Sequence, residues 1–337
     1  MNIREYLKLA RSFNAVLTGV SPVMGALAMG HYNVFILFLL FLVGFFGHTF
    51  GFVFNDIIDY TLDTQSQEIS DRPLVSGTIT KKNAYLFAFA AMFVAFLIAS
   101  FIAYTTNQYF PLVILILSAG CIALYDLISK KYPFTDIFVA LGIFFLIIYG
   151  ALTVTGKLTL LTPITWIVGI LGAIQVLYMQ IIAGGMKDIE NDYKHGANTL
   201  AVKLGVRIYD SQLIISKNFK AIAYGLQLVD FIMVGTAFYI LKESLQISFF
   251  QVAQWILLIF IALFMFFLSH KLLSMKRFDR MKARKYIGSH YMINFALVPI
   301  MLMTQNPWIG LLAFFPALGF ILSNLILHGT LLQPKTM

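Results

Sequence analysis

Long apolar segments separated by short polar ones dominate the hydropathy pattern of this 337-residue chain. The apolar segments are roughly 20 residues long, which an α-helix needs to cross a hydrocarbon core about 30 Å thick. The pattern predicts nine or ten membrane-spanning helices, and the last two are divided only by Thr304–Pro307. The predicted spans cover approximately residues 12–30, 34–54, 83–104, 109–128, 134–154, 163–184, 219–241, 249–269, 287–303 and 308–328.

The composition supports the same class of protein. Hydrophobic residues make up 60% of the chain and charged residues only 12%, and the mean hydropathy is +0.84. In soluble domains about a quarter of the residues are charged. We therefore expect an all-α integral membrane protein whose residues 1–337 form a single bundle domain.

The net charge of +9 is distributed unevenly along the chain. With the amino terminus in the cytoplasm, only Lys157 and Lys242 fall on the opposite side, while Lys335 follows the last helix. This asymmetry is the positive-inside pattern of membrane proteins and does not call for a nucleic-acid partner. It predicts a multi-pass cell-membrane protein whose amino terminus and long loops, about 55–82 and 185–218, are cytoplasmic.

Two acidic clusters stand at the polar ends of the second and sixth apolar segments. If the second helix continues through its polar end, Asn55, Asp59 and Asp63 recur at i, i+4 and i+8 on one face. Asp188 and Asp192 repeat the four-residue spacing. Hard cations prefer oxygen ligands, and Mg²⁺ is usually shared between carboxylates and substrate phosphates. The clusters therefore predict a site for Mg²⁺ and a diphosphate.

The longer motifs around these clusters carry a family resemblance. Asn-Asp-x-x-Asp-x-x-x-Asp followed by Arg-Pro-Leu-Val-Ser-Gly spans Asn55–Gly77, and Lys-Asp-Ile-Glu-Asn-Asp spans Lys187–Asp192 ahead of Thr199–Gly205. Together they resemble the UbiA family of intramembrane aromatic prenyltransferases. The similarity extends to Arg11–Asn14 before the first helix and to Tyr125–Lys130 after the fourth, so it covers most of the chain.

The resemblance implies about nine helices around a central cavity that opens at the cytoplasmic face, and it implies the roles of individual residues. The implied catalytic carboxylates are Asp59, Asp63, Asp188 and Asp192. The implied Mg²⁺ ligands are Asn55, Asp56, Asp59, Asp63, Asp188 and Asp192. The implied substrate-binding residues are Arg11, Asn14, Arg72, Tyr125, Lys130 and Lys187.

The implied reaction is ionisation of an allylic prenyl diphosphate followed by attack of a lipophilic, electron-rich acceptor. Mg²⁺, Lys and Arg stabilise the departing diphosphate, and a water-poor cavity protects the allylic cation. Thr199–Gly205 resembles members of quinone pathways, and Arg72–Gly77 resembles members acting on hydroxybenzoate. We therefore expect an aromatic acceptor in quinone-type biosynthesis, with the bilayer and the two substrates as partners and with no obligate protein partner.

Three alternatives stay open at this point. Relatives in the same family transfer a prenyl group to geranylgeranylglyceryl phosphate in archaeal ether-lipid synthesis, and others farnesylate haem. A transporter is the least favoured, because the acidic residues gather at one surface and only Asp230 is central. A phosphorylated acceptor needs an additional anion-binding group near the cavity mouth. Candidates for that group in the last long loop are Arg277, Arg280, Lys282, Arg284 and Lys285.

Several polar residues fall inside the predicted spans. Asp230 is costly there and functional by default, although a protonated or hydrogen-bonded carboxyl between helices is an equal expectation. For His48 and His290 we expect hydrogen bonds between helices. Asp126 precedes Lys130–Lys131 at a membrane boundary, where local charge pairing accounts for it.

Overall fold

The computed structural model of the chain describes residues 2–65, 69–129, 131–194, 198–209, 212–241 and 248–331, without the side chains of Asn191 and Lys194. Over these ranges the chain is almost entirely helical, with a single two-stranded antiparallel sheet. The predicted all-α bundle is therefore confirmed.

The helices follow the predicted apolar segments. A π-helical turn at Tyr178–Gly184 joins α8 to α9, and 3₁₀ turns lie at Leu158–Leu160 and Pro307–Ala313. The strands are β1 (Arg207–Tyr209) and β2 (Gln212–Ile214). The α-helices are α1 (Ile3–Leu9), α2 (Ser12–Ala28), α3 (Val34–Ile58), α4 (Tyr60–Asp63), α5 (Lys81–Thr106), α6 (Phe110–Ile128), α7 (Asp136–Thr155), α8 (Pro163–Leu177), α9 (Gly185–Lys194), α10 (Leu200–Lys203), α11 (Lys217–Leu241), α12 (Phe249–Leu273), α13 (Arg280–Asn294), α14 (Leu297–Leu302) and α15 (Phe314–His328).

Eight helical runs in the described ranges are long and apolar enough to cross a membrane, counting Pro163–Glu190 and Pro307–His328 as one run each. Helix α2 is apolar but has only 17 residues. Helices α13 and α14 form a further crossing that is interrupted between Asn294 and Leu297. With these two included, the number of crossings agrees with the nine or ten predicted helices.

Two helices extend beyond their predicted apolar segments into the acidic motifs. Helix α3 continues to Ile58, and the helical run that begins at Pro163 continues through the π turn to Lys194. Their backbone polar groups are thereby satisfied within the helices. The motif side chains consequently project from ordered helix ends, and the π turn before the second motif is a feature that is frequent at functional sites.

Successive crossings run in alternating directions, so both acidic motifs lie at the same end as the amino terminus. There the Arg4 Nη2 donates a hydrogen bond to the Leu327 carbonyl at 3.0 Å, which joins α1 to the end of α15. At the opposite end the Thr162 hydroxyl donates to the Ala28 carbonyl at 3.4 Å. We call the end that holds the amino terminus the motif end; its described residues fall within 2–11, 55–80, 126–135, 187–216, 274–284 and 327–331.

Glycines bring the backbones of α2 and α7 into direct contact at the centre of the bundle. A Cβ on Gly25 would collide with the Ile147 carbonyl, and one on Gly150 would collide with the Pro22 carbonyl. Without an aqueous hydrophobic effect between helices in lipid, such close approach supplies the packing that holds them together. This contact sets the position of α2 in the bundle. It therefore also sets the position of the polar residues at the amino-terminal end of α2, which lies at the motif end.

Candidate functional site

The first acidic motif occupies the end of α3 and the single turn of α4. The second helix does not continue unbroken through its polar end, because Asp59 forms the junction between α3 and α4. The helical spacing nevertheless continues, because the Asp59 N–H donates to the Asn55 carbonyl and the Asp63 N–H to the Asp59 carbonyl, both at 2.9 Å. Asn55, Asp59 and Asp63 therefore stay about one turn apart, with a bend in the middle.

Two arginines hold the carboxylates of this motif. Arg11 Nη2 donates to Asp56 Oδ1 at 2.6 Å. Arg72 Nη1 donates to Asp63 Oδ2 at 2.6 Å and lies 3.6 Å from Asp56 Oδ1. Asp56 is only 4% exposed, and a buried carboxylate requires a compensating charge. Asp56 thus lies between two guanidinium groups.

Arg11 reaches the motif from the junction between α1 and α2. Its backbone is left-handed, with φ of 46°, a conformation that is uncommon for a residue other than glycine and that recurs at functional sites. Burial lowers the pKa of the Arg11 guanidinium, but the neighbouring carboxylates, with Asp56 the strongest, hold the pKa above its usual value. Arg11 therefore stays cationic at this position.

Asp126 contributes to the site in a way that the sequence analysis did not predict. The Asn55 amide Nδ2 donates to Asp126 Oδ1 at 3.1 Å, across the interface between α3 and α6. Asp126 is 4% exposed, and Lys130, one of the two lysines expected to pair with it, lies outside the described residues. The position of Asp126 one residue after Tyr125, in the last turn of an apolar helix, was the available signal, because a carboxylate there is costly unless it has a function.

The second acidic motif lies on α9 and is also flanked by cations. Lys187 Nζ is 3.3 Å from Asp188 Oδ2, and Arg280 Nη2, at the start of α13, is 3.7 Å from Asp188 Oδ1. Asp192 follows one turn further along α9 and is partly buried. The contact with α13 was not predicted, since Arg280 lies far from this motif in the chain.

The two motifs meet across the motif end of the bundle. The charge of Asp188, in the second motif, acts on Arg11, which pairs with the first motif. Lys187 in turn lies within electrostatic range of Arg11 and Arg72. Charged groups from the junction between α1 and α2, from the first motif and from α9 therefore lie within electrostatic range of one another.

The structure gives different information about each of the remaining predicted site residues. The charges of Asp136 and Asp126 act most strongly on the Tyr125 hydroxyl, and those of Asp59 and Asp188 also reach it, so Tyr125 is within electrostatic range of both motifs. The Asn14 Oδ1 on α2 is buried without a hydrogen-bond partner among the described residues. Lys130 lies outside the described residues.

The donor atoms suit Mg²⁺, although the described residues contain no group of three or more His, Cys, Asp or Glu side chains arranged to hold a metal ion. All predicted ligands offer oxygen, which Mg²⁺ prefers. The Asp126 Oδ2 beside Asn55 is buried and lacks a hydrogen-bond partner in the described part of the chain, and such an atom is normally satisfied by a protein group, water or an ion. The residues present therefore fit the ion, and the individual ligands stay a prediction.

An apolar cavity lies deeper in the bundle. Thr18 on its wall follows Asn14 by one turn of α2. Its polar wall atoms are few, because most of its lining is aliphatic or aromatic. The apolar lining includes Leu17, Met24, Ile147, Val168, Phe295 and Val298.

The polar residues inside the crossings mostly hydrogen-bond between helices, as expected. His48 Nδ1 is 2.8 Å from the Thr18 hydroxyl, and His290 Nε2 is 2.8 Å from Gln227 Nε2. Asp230 is 2% exposed, and neither of its carboxylate oxygens has a hydrogen-bond partner among the described residues. Of the two expected forms, the hydrogen-bonded carboxyl is not found at Asp230 among the described residues, whereas its burial agrees with the protonated form.

Proteins of similar sequence carry a consistent name. A digeranylgeranylglyceryl phosphate synthase from Methanoregula boonei is 29% identical over 213 residues, which is 61% of this chain and 71% of the relative. Relatives of the same name from Thermococcus sibiricus and Pyrococcus abyssi show similar identities.

Solved structures share the fold. The structure of a digeranylgeranylglyceryl phosphate synthase superposes with a TM-score of 0.63 at 22% identity and covers 90% of this chain and 98% of its own. A UbiA homologue from Archaeoglobus fulgidus bound to GPP and Mg²⁺ superposes with a TM-score of 0.60 at 18% identity, covering 87% and 99% of the two chains. The family model for UbiA prenyltransferases matches residues 16–286. This chain therefore belongs to the UbiA prenyltransferase family and is an integral membrane prenyltransferase.

Proposed function

We propose that this enzyme transfers a prenyl group from a prenyl diphosphate to the free glycerol hydroxyl of geranylgeranylglyceryl phosphate. The observation that carries this proposal is the shared name of the relatives, which are digeranylgeranylglyceryl phosphate synthases. They favour the alternative acceptor of the sequence analysis over the aromatic acceptor that was expected first.

A phosphorylated acceptor requires cationic groups in addition to those that bind the diphosphate. Arg11 and Arg72 contact the first motif. Lys187 and Arg280 contact the second motif. Cations on both sides of the site are consistent with two anionic substrates, whereas a neutral or singly charged aromatic acceptor would require fewer of them.

On binding, the diphosphate would replace carboxylates as the partner of the two arginines. Arg11 and Arg72 now pair with Asp56 and Asp63, and guanidinium groups bind phosphate with the same fork geometry that they use for carboxylates. Binding of the diphosphate to the guanidinium groups would free carboxylate oxygens. Mg²⁺ held by oxygen atoms of Asn55, Asp56, Asp59, Asp63, Asp188 and Asp192 would then neutralise the charge that grows on the leaving diphosphate.

The transfer itself exchanges one carbon–oxygen bond for another. The bond between the allylic carbon and the diphosphate oxygen breaks, and the diphosphate keeps the electron pair. The acceptor hydroxyl oxygen supplies the pair for the new ether bond and releases its proton, which the diphosphate can take up. Arg11, Arg72 and Lys187 stabilise the charge of the leaving group in a site with little water.

The apolar cavity accounts for the lipophilic part of the donor. Leu17 and Met24 of α2 line it opposite Val168 of α8. An isoprenoid tail buried there gains roughly 25 cal/mol for each Å² of apolar surface removed from water. The same walls would keep water away from the allylic cation, which would otherwise be quenched.

The proposal is tested with purified protein, Mg²⁺ and labelled geranylgeranyl diphosphate. The acceptors are geranylgeranylglyceryl phosphate, 4-hydroxybenzoate and 1,4-dihydroxy-2-naphthoate, offered singly and in competition, and products are identified by mass. We expect a diether phosphate from the first acceptor. Robust transfer to an aromatic acid with none to the glycerol phosphate would overturn the proposal and restore the aromatic acceptor.

A further inference from the structure

The beginning of α13 turns two of its arginines toward the second acidic motif. Arg280 and Arg284 are four residues apart and so lie on the same face of the helix. Arg284 is only 6% exposed, and Arg280 is partly buried. Lys282 and Lys285 on the same helix are exposed. The sequence could not say which of the five candidate cations of this loop binds an anion. The structure separates them into a pair that faces the second motif, Arg280 and Arg284, and a set that is exposed.

The inward pair lies beside the reaction site. Arg280 Nη2 is 3.7 Å from Asp188 Oδ1, a distance longer than that of a well-formed hydrogen bond. The charge of Asp188 also acts on Arg284. Lys187 contacts the other oxygen of Asp188, so cations from two helices flank this carboxylate.

The geometry of this pair suits an anion with two negative charges. Both guanidinium groups project from the same face of α13, with Arg284 buried and Arg280 partly buried. A phosphate can pair with two such groups at once. Guanidinium groups are the side chains best suited to bind such a phosphate through paired hydrogen bonds.

The segment before α13 is held in place by the hairpin that follows α10. The Leu213 N–H donates to the Lys276 carbonyl at 2.9 Å, and Gln212 pairs with Arg277 as an isolated β-bridge. Asp279 caps the helix by accepting from the Lys282 N–H at 3.0 Å. These contacts fix the first turn of α13, so Arg280 and Arg284 are oriented before any ligand binds.

We propose that Arg280 and Arg284 bind the phosphate of the acceptor and thereby select a phosphorylated lipid. This inference rests on the proposed function. It assigns the diphosphate to Arg11 and Arg72 at the first motif and the acceptor phosphate to α13 beside the second motif. The glycerol hydroxyl would then lie between the two anions, where it can attack the allylic carbon.

The test pairs each enzyme variant with two acceptors, geranylgeranylglyceryl phosphate and geranylgeranylglycerol, which lacks the phosphate. We expect Arg280→Gln and Arg284→Gln each to reduce kcat/KM for the phosphate by about tenfold to a hundredfold, as for loss of a charged hydrogen bond. The same variants should change transfer to geranylgeranylglycerol less than threefold. KM for geranylgeranyl diphosphate should stay within twofold of the unmodified enzyme. The matched controls Lys282→Gln and Lys285→Gln, on the exposed face, should leave every parameter unchanged.

One further variant and one vesicle assay distinguish loss of phosphate binding from other causes of lost activity. Arg284→Lys retains a cation and should recover part of the preference for phosphate, which separates a folding defect in Arg284→Gln from a binding defect. Repeating the assay in phosphatidylcholine vesicles with and without phosphatidate distinguishes the acceptor phosphate from a bilayer headgroup. If phosphatidate inhibits the unmodified enzyme and the Arg280→Gln enzyme equally, the headgroup source is excluded.

The inference is overturned if Arg280→Gln and Arg284→Gln lose activity equally with both acceptors. It is also overturned if the lysine control variants lose as much activity as the arginine variants. Strong inhibition by phosphatidate that disappears in Arg280→Gln would likewise overturn it in favour of a bilayer-lipid site. Failure of the proposed function looks different, because the unmodified enzyme would then transfer nothing to either glycerol ether.

Discussion

The Asn55 amide donates a hydrogen bond of 3.1 Å to the carboxylate of Asp126, joining two residues that are 71 positions apart. This hydrogen bond restricts the orientation of the Asn55 side chain, whose carbonyl oxygen is the predicted Mg²⁺ ligand. Groups that orient a metal ligand in this manner contribute to metal affinity without touching the metal. Asp126 is thus expected to position Asn55.

Replacing Asp126 tests this relationship. Asp126→Leu removes the acceptor, and we expect the Mg²⁺ concentration for half-maximal activity to rise roughly tenfold to a hundredfold. Asp126→Asn keeps an acceptor oxygen for Asn55 and should retain most of the affinity. Mn²⁺ binding in the presence of a non-reactive thiodiphosphate, followed by electron paramagnetic resonance, provides a readout that does not depend on turnover.

The control for Asp126 lies on the same helix. Ser118 is buried and donates a hydrogen bond of 2.7 Å to the Gly142 carbonyl, so Ser118→Ala perturbs packing of α6 away from the site. It should leave Mn²⁺ binding unchanged. If Asp126→Asn weakens Mn²⁺ binding as much as Asp126→Leu, then Asp126 acts directly through its charge, and the positioning role is wrong.

The two acidic motifs are expected to be indispensable for turnover and dispensable for folding. Asp59→Ala or Asp192→Ala removes a carboxylate from the site that offsets the charge of the leaving group, so kcat should fall by roughly 100- to 1000-fold. Folding should be spared, because repulsion between neighbouring carboxylates is also relieved. Steady-state assays and detergent gel filtration check the two parts of this prediction.

Metal removal and an acidic control complete that experiment. EDTA should abolish transfer, and added Mg²⁺ should restore it. Asp71 is an exposed residue between the motif and Arg72, and Asp71→Asn should remain within twofold of the unmodified enzyme. Near-normal transfer by Asp59→Ala, or activity that persists in EDTA, would contradict the assignment of these carboxylates.

The close contact between α2 and α7 makes a stability prediction. In Gly150→Ala the added methyl meets the Pro22 carbonyl, which belongs to the backbone and cannot rotate away. We expect destabilisation of roughly 1–3 kcal/mol, the usual range for overpacking. Gly120 on α6 has open space around its Cα, so Gly120→Ala should be neutral. Equal thermal-inactivation midpoints for the two variants would show that the helices can separate without cost.

The orientation of the chain in the membrane is predicted from its Lys and Arg residues. In a Cys121→Ser background, cysteines at the exposed positions Lys82, Lys203 and Lys282 should react with an impermeant maleimide only from the cytoplasmic side. A cysteine at Lys157, at the opposite end, should react only from outside. Labelling of the first three from outside intact cells would reverse the orientation.

The apolar segments by themselves determined the architecture of this protein. Spans can be located from sequence because hydrocarbon allows only segments that satisfy their own backbone hydrogen bonds and present apolar side chains to lipid. The spacing of Asn55, Asp59 and Asp63 likewise predicted a row of oxygen donors, since helix geometry is local. Connections that reverse direction placed both acidic motifs at one end. These features depend on residues close together in the chain.

Only the tertiary structure decided which distant residues meet. The bend at Asp59, the contact of Asn55 with Asp126, and the approach of Arg280 to Asp188 all depend on how helices cross. Those crossings are determined by backbone contacts such as the one between Gly150 and Pro22, which hydropathy does not register. Charge alone could not separate Arg284 from Lys285, because burial on one helix face depends on the neighbouring helix that covers it.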